Sequence, residues 1–245
     1  MKRLVFAVLM ITTLIFSGTF LSGCFAPMAE PDDLIIEETE VTLDEILRAE
    51  LKEDIDKGYL ILVNKEHSLD KEYEPQDLTE IIYFAKDRSP LWRKMRDEAA
   101  TAFHRLSEDA KAEGLEIVVT TCYRSYDFQS QLYYGYVNTK GQEWADKYSA
   151  KPGTSEHQTG LAADCSSPSV NYQLTVDFEN TKEGKWLSEN AYKYGFVIRY
   201  EKGKEEITGY NYEPWHIRYV GEKAAKVMKE KNFALEELIE YLDIK

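Results

Sequence analysis

Residues 155–164 read Ser-Glu-His-Gln-Thr-Gly-Leu-Ala-Ala-Asp, and this segment sets the architecture that we expect for the chain. Leu161 to Cys165 predicts a short strand. His157 and Asp164 stand on either side of Gly160, which allows a turn between them. The chain can therefore leave a loop, turn, and return along the strand with both side chains facing one point.

A second informative segment, residues 213–216, reads Glu-Pro-Trp-His. A catalytic zinc takes three protein ligands from His, Asp or Glu and keeps one position open for water. His157, Asp164 and His216 fit that number, with the third ligand arriving from a distant part of the chain. We therefore predict a metal site built from these three residues.

Two further residues fit a hydrolytic reaction at such a site. Glu213, three residues before His216, is placed to act as a general base towards the attacking water. Arg124 follows a predicted strand and can donate charge-assisted hydrogen bonds to a developing oxyanion or to a substrate carboxylate. Each residue taken alone has an ordinary surface or core interpretation, so the prediction depends on their joint occurrence.

The surrounding segments alternate between helical and extended patterns without a regular β-α-β rhythm, which favours an α+β fold. Helices are predicted from Leu43 to Ile55, from Ser89 through Leu106 to Gly114, after a Ser125 cap up to an interruption at Gly141, from Gly184 to Tyr194, from Glu222 to Lys231 and from Leu235 to Leu242. Strands are predicted at Tyr59 to Val63, Leu115 to Cys122, Leu161 to Cys165, Phe196 to Tyr200 and Trp215 to Val220.

The N-terminal region resembles a targeting segment. Lys2 and Arg3 precede an uncharged apolar run, which is the order of a secretory signal peptide. Leu21-Ser22-Gly23-Cys24 resembles a bacterial lipobox, so residues 1–23 are predicted to be removed and Cys24 to be lipidated. The alternative is an uncleaved membrane helix. Residues 24–42 are predicted to be an acidic tether, and residues 43–245 the folded domain, held extracytoplasmically at the outer face of the cell membrane.

The composition supports one globular domain and excludes some partners. The 245 residues are 43% hydrophobic and 30% charged, with a net charge of -14. So acidic a surface repels phosphate backbones, which argues against nucleic-acid binding. No obligate protein partner is indicated.

The ordered pattern Ser-x-His-x-x-Gly-x-x-x-Asp followed by Glu-x-x-His resembles that of zinc D,D-carboxypeptidases and dipeptidases of the VanY, VanX and LAS type, with spacing close to the VanY branch. The resemblance extends from about Tyr59 to about Val220. It includes Tyr123-Arg124-Ser125 with Gln129, and further matches at Trp186-Leu187, Tyr194-Gly195-Phe196 and Arg199-Tyr200.

The resemblance implies specific roles for these positions. His157, Asp164 and His216 would hold Zn²⁺, Glu213 would be the catalytic base, and Arg124 would polarise the scissile carbonyl. The pocket for the terminal D-amino acid would be lined by Gln129, Ser155, Tyr200 and Trp215. The implied fold is a small α+β domain of the LAS or hedgehog type, with a central antiparallel sheet flanked by helices and the metal in its cleft.

The implied function is a membrane-tethered zinc metalloprotease that removes the C-terminal D-alanine from peptidoglycan stem peptides. An L,D-carboxypeptidase that acts on tetrapeptide stems is the enzymatic alternative. A wall-binding lipoprotein without turnover is the non-enzymatic one, although a pure binder has no need of Glu213.

The cysteines at 122 and 165 depart from the family pattern. Cys122 directly precedes Tyr123-Arg124-Ser125, and Cys165 directly follows Asp164. Because an exported protein tends to pair its cysteines, we predict a disulfide between them that braces the metal cleft. A cysteine ligand or nucleophile is disfavoured, because Cys165 would point to the opposite face of the strand from Asp164.

Overall fold

The computed structural model describes residues 43–89 and 92–244, and these described residues form one compact unit. The strands are β1 (Leu78–Glu80), β2 (Lys94–Arg96), β3 (Val118–Thr121), β4 (Ala162–Ser166), β5 (Phe196–Tyr200) and β6 (Glu213–Tyr219). The helices are α1 (Leu43–Glu50), α2 (Lys52–Asp56), α3 (Asp97–Ala112), α4 (Tyr126–Lys140), α5 (Gln142–Tyr148), α6 (Lys182–Asn190), α7 (Glu205–Thr208), α8 (Glu222–Lys231) and α9 (Leu235–Tyr241).

A four-stranded antiparallel sheet forms the centre, in the order β3-β4-β6-β5, and β1 pairs with β2 separately. The α+β class with a central antiparallel sheet is therefore confirmed. Side chains alternate across this sheet. Ala163 and Ile217 point into the main core, whereas Asp164 and His216 lie on the opposite face, towards the pocket described below.

Two hydrophobic clusters hold these elements together. The larger lies between the sheet and helices α3 and α6, and includes Phe103, Leu106, Leu187 and Phe196, all fully buried. The smaller joins α2, α8 and α9 through residues that include Leu51, Val220, Met228, Leu235 and Leu238. The sheet thus has one face sealed by helices, which leaves the other face free to carry polar chemistry.

Most predicted helices and strands are present with shifted ends. Ser125 caps α4 by accepting a hydrogen bond from the Phe128 N–H at 3.2 Å, and Gly141 separates α4 from α5 as expected. The Phe196–Tyr200 strand has its predicted bounds. The predicted helix from Leu43 to Ile55 is divided into α1 and α2 at Leu51.

Two predictions are wrong. Tyr59 to Val63 is not a strand, because the carbonyl oxygens of Tyr59 and Ile61 accept hydrogen bonds from the Arg218 guanidinium instead of from a neighbouring strand. The helix predicted from Ser89 begins only at Asp97, because Lys94–Arg96 pairs with β1.

Among residues 43–89 and 92–244, no helix has the length and apolar character needed to cross a membrane. The predicted signal peptide, the lipidation site Cys24 and the acidic tether lie outside the described residues.

Candidate active site

Strand pairing brings two of the three predicted metal ligands together. Asp164 on β4 is the direct cross-strand partner of His216 on β6. Directly opposed residues of an antiparallel pair project to the same face with Cβ atoms about 5 Å apart. His216 Nδ1 accordingly lies 3.0 Å from Asp164 Oδ1.

The third ligand comes from the turn that leads into β4. Residues Glu156–Thr159 form one turn of 3₁₀ helix, which ends at Gly160 in the left-handed conformation with φ of +68°. The Thr159 hydroxyl closes this turn by donating to the Glu156 carbonyl at 2.6 Å and accepting from the Leu161 N–H at 3.0 Å. His157 is thereby directed at the strand that follows, with its Nε2 3.3 Å from Asp164 Oδ2.

The donor set fits a divalent cation. One ligand atom from each of His157, Asp164 and His216 lies within 4.8 Å of the others, and all three residues are buried. Tetrahedral zinc with bonds of about 2.0–2.2 Å requires ligand atoms about 3.3–3.6 Å apart. His157 Nε2 lies 3.3 Å from Asp164 Oδ2 and His216 Nδ1 lies 3.0 Å from Asp164 Oδ1, so each histidine is near this spacing from a different oxygen of the carboxylate. Two imidazoles and one carboxylate are also the donors that zinc prefers in catalytic sites.

Hydrogen bonds on the outer side of each imidazole fix which nitrogen faces the ligand cluster. His157 Nδ1 donates to the Cys122 carbonyl at 2.6 Å, so its Nε2 faces Asp164. His216 has the opposite arrangement, because its Nε2 lies 3.4 Å from Glu156 Oε2 and its Nδ1 faces Asp164. The two histidines therefore present different nitrogens to the same point.

The pKa values of the cluster follow from burial and from these contacts. Burial and the nearby Arg124 lower the pKa of His157 to about 4, so that its ring is neutral at pH 7. Burial raises the pKa of Asp164, but its electrostatic and hydrogen-bonding contacts with His157 and His216 outweigh this effect and hold that pKa well below its usual range. Burial lowers the pKa of His216, but hydrogen bonds to Asp164 and Glu156 have a larger effect in the opposite direction. The pKa of His216 is therefore raised to about 9. A metal ion that binds His216 would therefore displace a proton.

An irregularity in β6 places Glu213 beside the ligands. Residues three apart on a regular strand face opposite sides. Between the pairs Ile198–Ile217 and Tyr200–Glu213, however, β6 contains two more residues than β5. This bulge includes Pro214, which has no N–H to pair. Glu213 Oε2 consequently lies 3.9 Å from His216 Nδ1, and burial raises the Glu213 pKa to about 7.

Arg124 lies on the same side of the site. Its backbone N–H donates to the His157 carbonyl at 3.2 Å, which anchors the segment just after β3 against the ligand turn. Its side chain lines the pocket, and its buried Nε has no hydrogen-bond partner within the described part of the chain. The guanidinium thus keeps an unused hydrogen-bond donor next to the cavity.

The remaining predicted site residues line the same pocket, a cavity of about 290 Å³. Gln129 is fixed by donating to the Ala150 carbonyl at 2.7 Å, and its Oε1 has no hydrogen-bond partner among the described residues. Ser155 is buried next to the ligand turn. The Tyr200 ring lies 4.8 Å from the His216 ring, and Trp215 completes the lining set.

The predicted disulfide between Cys122 and Cys165 is not formed in the structure. Cys122 and Cys165 are both free and buried. The strand register explains this, since Val119 is the cross-strand partner of Cys165. Cys122 lies beyond the end of β3, where its N–H donates to the Trp92 carbonyl at 2.8 Å. Both cysteines belong to the hydrophobic core, so Cys165 points away from the metal ligands as expected.

Sequence reasoning missed the residues behind the ligands. Glu156 was part of the quoted segment but had no assigned role, and it is fully buried between Arg199 and Arg218. A signal for this cluster does exist in the sequence. Arg199 stands inside an otherwise apolar strand and Arg218 between Ile217 and Tyr219, and a charge in such a buried position requires a partner of opposite sign.

Comparison with known proteins agrees with the site geometry and identifies a family of carboxypeptidases. Residues 92–222 match the family model of VanY, D-alanyl-D-alanine carboxypeptidase. The chain is 48% identical to the Bacillus subtilis protein YodJ over 185 residues, which covers 75% of this chain and 68% of YodJ. It is 38% identical to a D-alanyl-D-alanine carboxypeptidase of Enterococcus faecium over 200 residues, which covers 78% of this chain and 60% of that protein.

Solved structures show the same architecture. The LdcB LD-carboxypeptidase matches with a TM-score of 0.69 and 48% identity, over 74% of this chain and 84% of LdcB. A variant of the D,D-pentapeptidase VanY from a VanB-type resistance cassette, solved in complex with Zn(II), matches with a TM-score of 0.59 and 31% identity, over 75% of this chain and 98% of that one. The chain therefore belongs to the VanY family of D-alanyl-D-alanine carboxypeptidases.

Proposed function

We propose that this protein is a zinc-dependent carboxypeptidase that releases the C-terminal D-alanine of peptidoglycan stem peptides. The observation that carries this proposal is the convergence of His157, Asp164 and His216 in one pocket with Glu213 and Arg124. The family relationship and the Zn(II) complex of a VanY variant support the choice of metal and of reaction.

The residues divide the work of hydrolysis between them. Zinc, when bound, acts as a Lewis acid and makes water a stronger nucleophile near neutral pH. Glu213 accepts the proton of the attacking water and can pass it to the departing amine. Arg124 donates hydrogen bonds to the carbonyl oxygen as negative charge develops there. Gln129, Ser155, Tyr200 and Trp215 enclose the terminal residue of the peptide.

A second specificity has a specific observation in its favour. The LdcB structure, an LD-carboxypeptidase, is 48% identical to this chain, whereas the E. faecium D-alanyl-D-alanine carboxypeptidase is 38% identical. Cleavage of tetrapeptide stems after an L-centre is therefore the alternative to cleavage between two D-alanines. Both reactions release D-alanine and use the same five site residues.

The test is D-alanine release from synthetic stem peptides. We expect purified full-length protein to release D-alanine from a pentapeptide that ends in D-Ala-D-Ala, to lose this activity on chelation, and to regain it when zinc is added back. Release from a tetrapeptide alone would favour the L,D alternative. Absence of release from both peptides by the zinc-loaded protein would contradict the proposed function and leave a wall-binding role.

We further propose that the protein is a lipoprotein anchored to the outer face of the cell membrane through Cys24. The support is the order of basic, apolar and small residues that precede this cysteine. Expression of wild-type and Cys24→Ser chains in a bacterial host, followed by fatty-acid labelling and membrane fractionation, tests it. We expect label and membrane association only in the wild type, and an unlabelled wild-type chain would contradict the anchor.

A further inference from the structure

Glu156 makes contacts that its position in the sequence does not suggest. It precedes the ligand His157, yet its carboxylate reaches the other histidine, with Oε2 3.4 Å from His216 Nε2. The other oxygen, Oε1, accepts from Arg199 Nε at 2.7 Å and from Arg218 Nη1 at 2.8 Å. The carboxylate and both guanidinium groups are completely excluded from solvent.

The two arginines are held in turn from behind. Arg199 donates to both carboxylate oxygens of Glu236 on α9, at 2.8 and 2.6 Å. Arg218 Nη2 donates to the carbonyls of Tyr59 and Ile61 at 2.9 and 2.8 Å. Two glutamates and two arginines therefore balance in charge, and neither the position nor the rotation of the Glu156 carboxylate is free to change.

The two oxygens of the Glu156 carboxylate have different hydrogen-bond partners. Charge neutralisation by the arginines uses only Oε1, and the sole hydrogen-bonding contact found for Oε2 in the described chain is His216. A carboxylate that served the arginines alone would be expected to share both oxygens with their forked donors. The arrangement instead reserves one oxygen for the imidazole.

We propose that Glu156 is a positioning residue for the metal site, acting through His216. By accepting the Nε2–H of His216 it leaves Nδ1 as the nitrogen with a free lone pair and holds the ring so that this nitrogen faces Asp164. The proposal rests on the zinc role proposed above. Carboxylates behind ligating histidines generally fix the tautomer and strengthen metal binding, and their loss weakens metal affinity about 10–100-fold.

Replacement of Glu156 by glutamine separates this role from simple packing, because glutamine has the same shape but only one acceptor oxygen. If the amide NH₂ group faces the arginines, its N–H donors lie against the N–H donors of Arg199 and Arg218, and no hydrogen bond can form there. If it faces His216, Nε2 must accept a hydrogen bond, and the proton moves to Nδ1, where the metal would bind. Either outcome disturbs the arrangement seen in the structure.

The experiment measures zinc affinity of the full chain by competition with a chromophoric chelator. We expect Glu156→Gln to weaken zinc binding about 10–100-fold. Glu236→Gln is the matched control, because it removes a charge from the same buried network without touching His216, and its loss of zinc affinity should be much smaller than that of Glu156→Gln. Unchanged affinity in Glu156→Gln, or an equal loss in both variants, would overturn the proposal.

A second measurement applies even if Glu156→Gln fails to fold. Nitrogen-15 NMR of the imidazoles in the zinc-loaded wild-type chain should show His216 bound through Nδ1 with a proton on Nε2, and His157 bound through Nε2. Zinc on Nε2 of His216 would overturn the proposal. D-alanine release is assayed separately, so that a chain that binds zinc as described but releases no D-alanine contradicts the proposed function and not the role of Glu156.

Discussion

Individual side chains in the pocket divide into those proposed to hold the metal and those proposed to act on a substrate. His157, Asp164 and His216 are committed to one another by contacts of 3.0 and 3.3 Å. Glu213 stands slightly apart, 3.9 Å from His216 Nδ1, and Arg124 Nε has no hydrogen-bond partner in the part of the chain that the structure describes. Changes at Glu213 and Arg124 should therefore affect turnover without removing the metal.

Glu213→Gln should retain zinc but lower kcat about 10²–10⁴-fold, because the amide cannot accept the proton of the attacking water. Steady-state D-alanine release and metal analysis of the same preparation check this. The expectation fails if kcat is unchanged in a variant that contains its full complement of zinc.

Arg124→Ala should lower kcat/KM about 10²–10³-fold, the usual effect of removing a donor to a developing oxyanion. Zinc affinity should stay close to wild type, because the Arg124 side chain is not one of the three ligands. Kinetics together with chelator competition check both statements. A fall in zinc affinity as large as the fall in kcat/KM would instead indicate a structural role.

The convergence of the three candidate metal ligands was predictable because each is a residue type with distinctive chemistry at a distinctive spacing. The role of Glu156 was not predictable, because a glutamate next to a histidine is common in the sequence of an acidic protein. Its function depends on two arginines more than 40 residues away, at 199 and 218, and on the strand pairing that brings them behind His216. Spacing alone does not reveal such convergence.

The helices and strands position the site through two departures from regularity. The bulge in β6 turns Glu213 towards the ligand face, and the left-handed Gly160 ends the turn that carries His157. The turn at Gly160 was expected from the glycine itself, but the bulge was not apparent from hydrophobic periodicity, which reports only the regular parts of strands and helices. The same limit explains the error at Tyr59 to Val63, where β-prone residues give their carbonyls to Arg218.

Gly160→Ala should destabilise the protein and weaken zinc binding. A Cβ at this position would lie 2.8 Å from Leu78 Cδ2 and 3.2 Å from Arg96 Cγ, in addition to the strain of φ at +68°. We expect a loss of about 1–3 kcal/mol in the free energy of unfolding, measured by urea denaturation.

Gly203→Ala is the control for this change, because Gly203 has φ of +80° and, apart from its two chain neighbours, no heavy atom of the described residues lies within 4 Å of its added Cβ. It carries the backbone strain without the clash and without proximity to the ligands. We expect a smaller loss of stability and unchanged zinc affinity. If the two variants lose equal stability and both bind zinc normally, the proposed contribution of the Gly160 contacts is wrong.

The folded domain as a whole is built around a sheet with one apolar face and one reactive face. The order of helices and strands, the α+β class and the family were predictable from the sequence. Apolar periodicity and an ordered motif can both be recognised in the linear sequence without knowledge of the fold. Pairing partners were less accessible, and the cysteines show why. Adjacency to matched motif segments suggested a bond, but the register sets Cys165 opposite Val119 and leaves Cys122 outside the ladder.

The folded protein should therefore contain two protected thiols. Burial raises the pKa of Cys122 and of Cys165 well above the usual value, which keeps both as unreactive thiols. In a Cys24→Ser chain we expect no reaction with Ellman's reagent under native conditions and two reactive thiols after unfolding without reductant. An unfolded chain with no reactive thiol would show that the disulfide forms.

The hydrogen bonds of Glu236 carry a practical consequence for anyone who shortens this protein. The family match ends at residue 222, which invites truncation soon afterwards. Helix α9, however, supplies the carboxylate that grips Arg199, and Arg199 supports the carboxylate behind His216. Helix α9 thus supports the catalytic centre through these hydrogen bonds. Fragments that stop before Leu235 should therefore not reproduce the properties of the intact site.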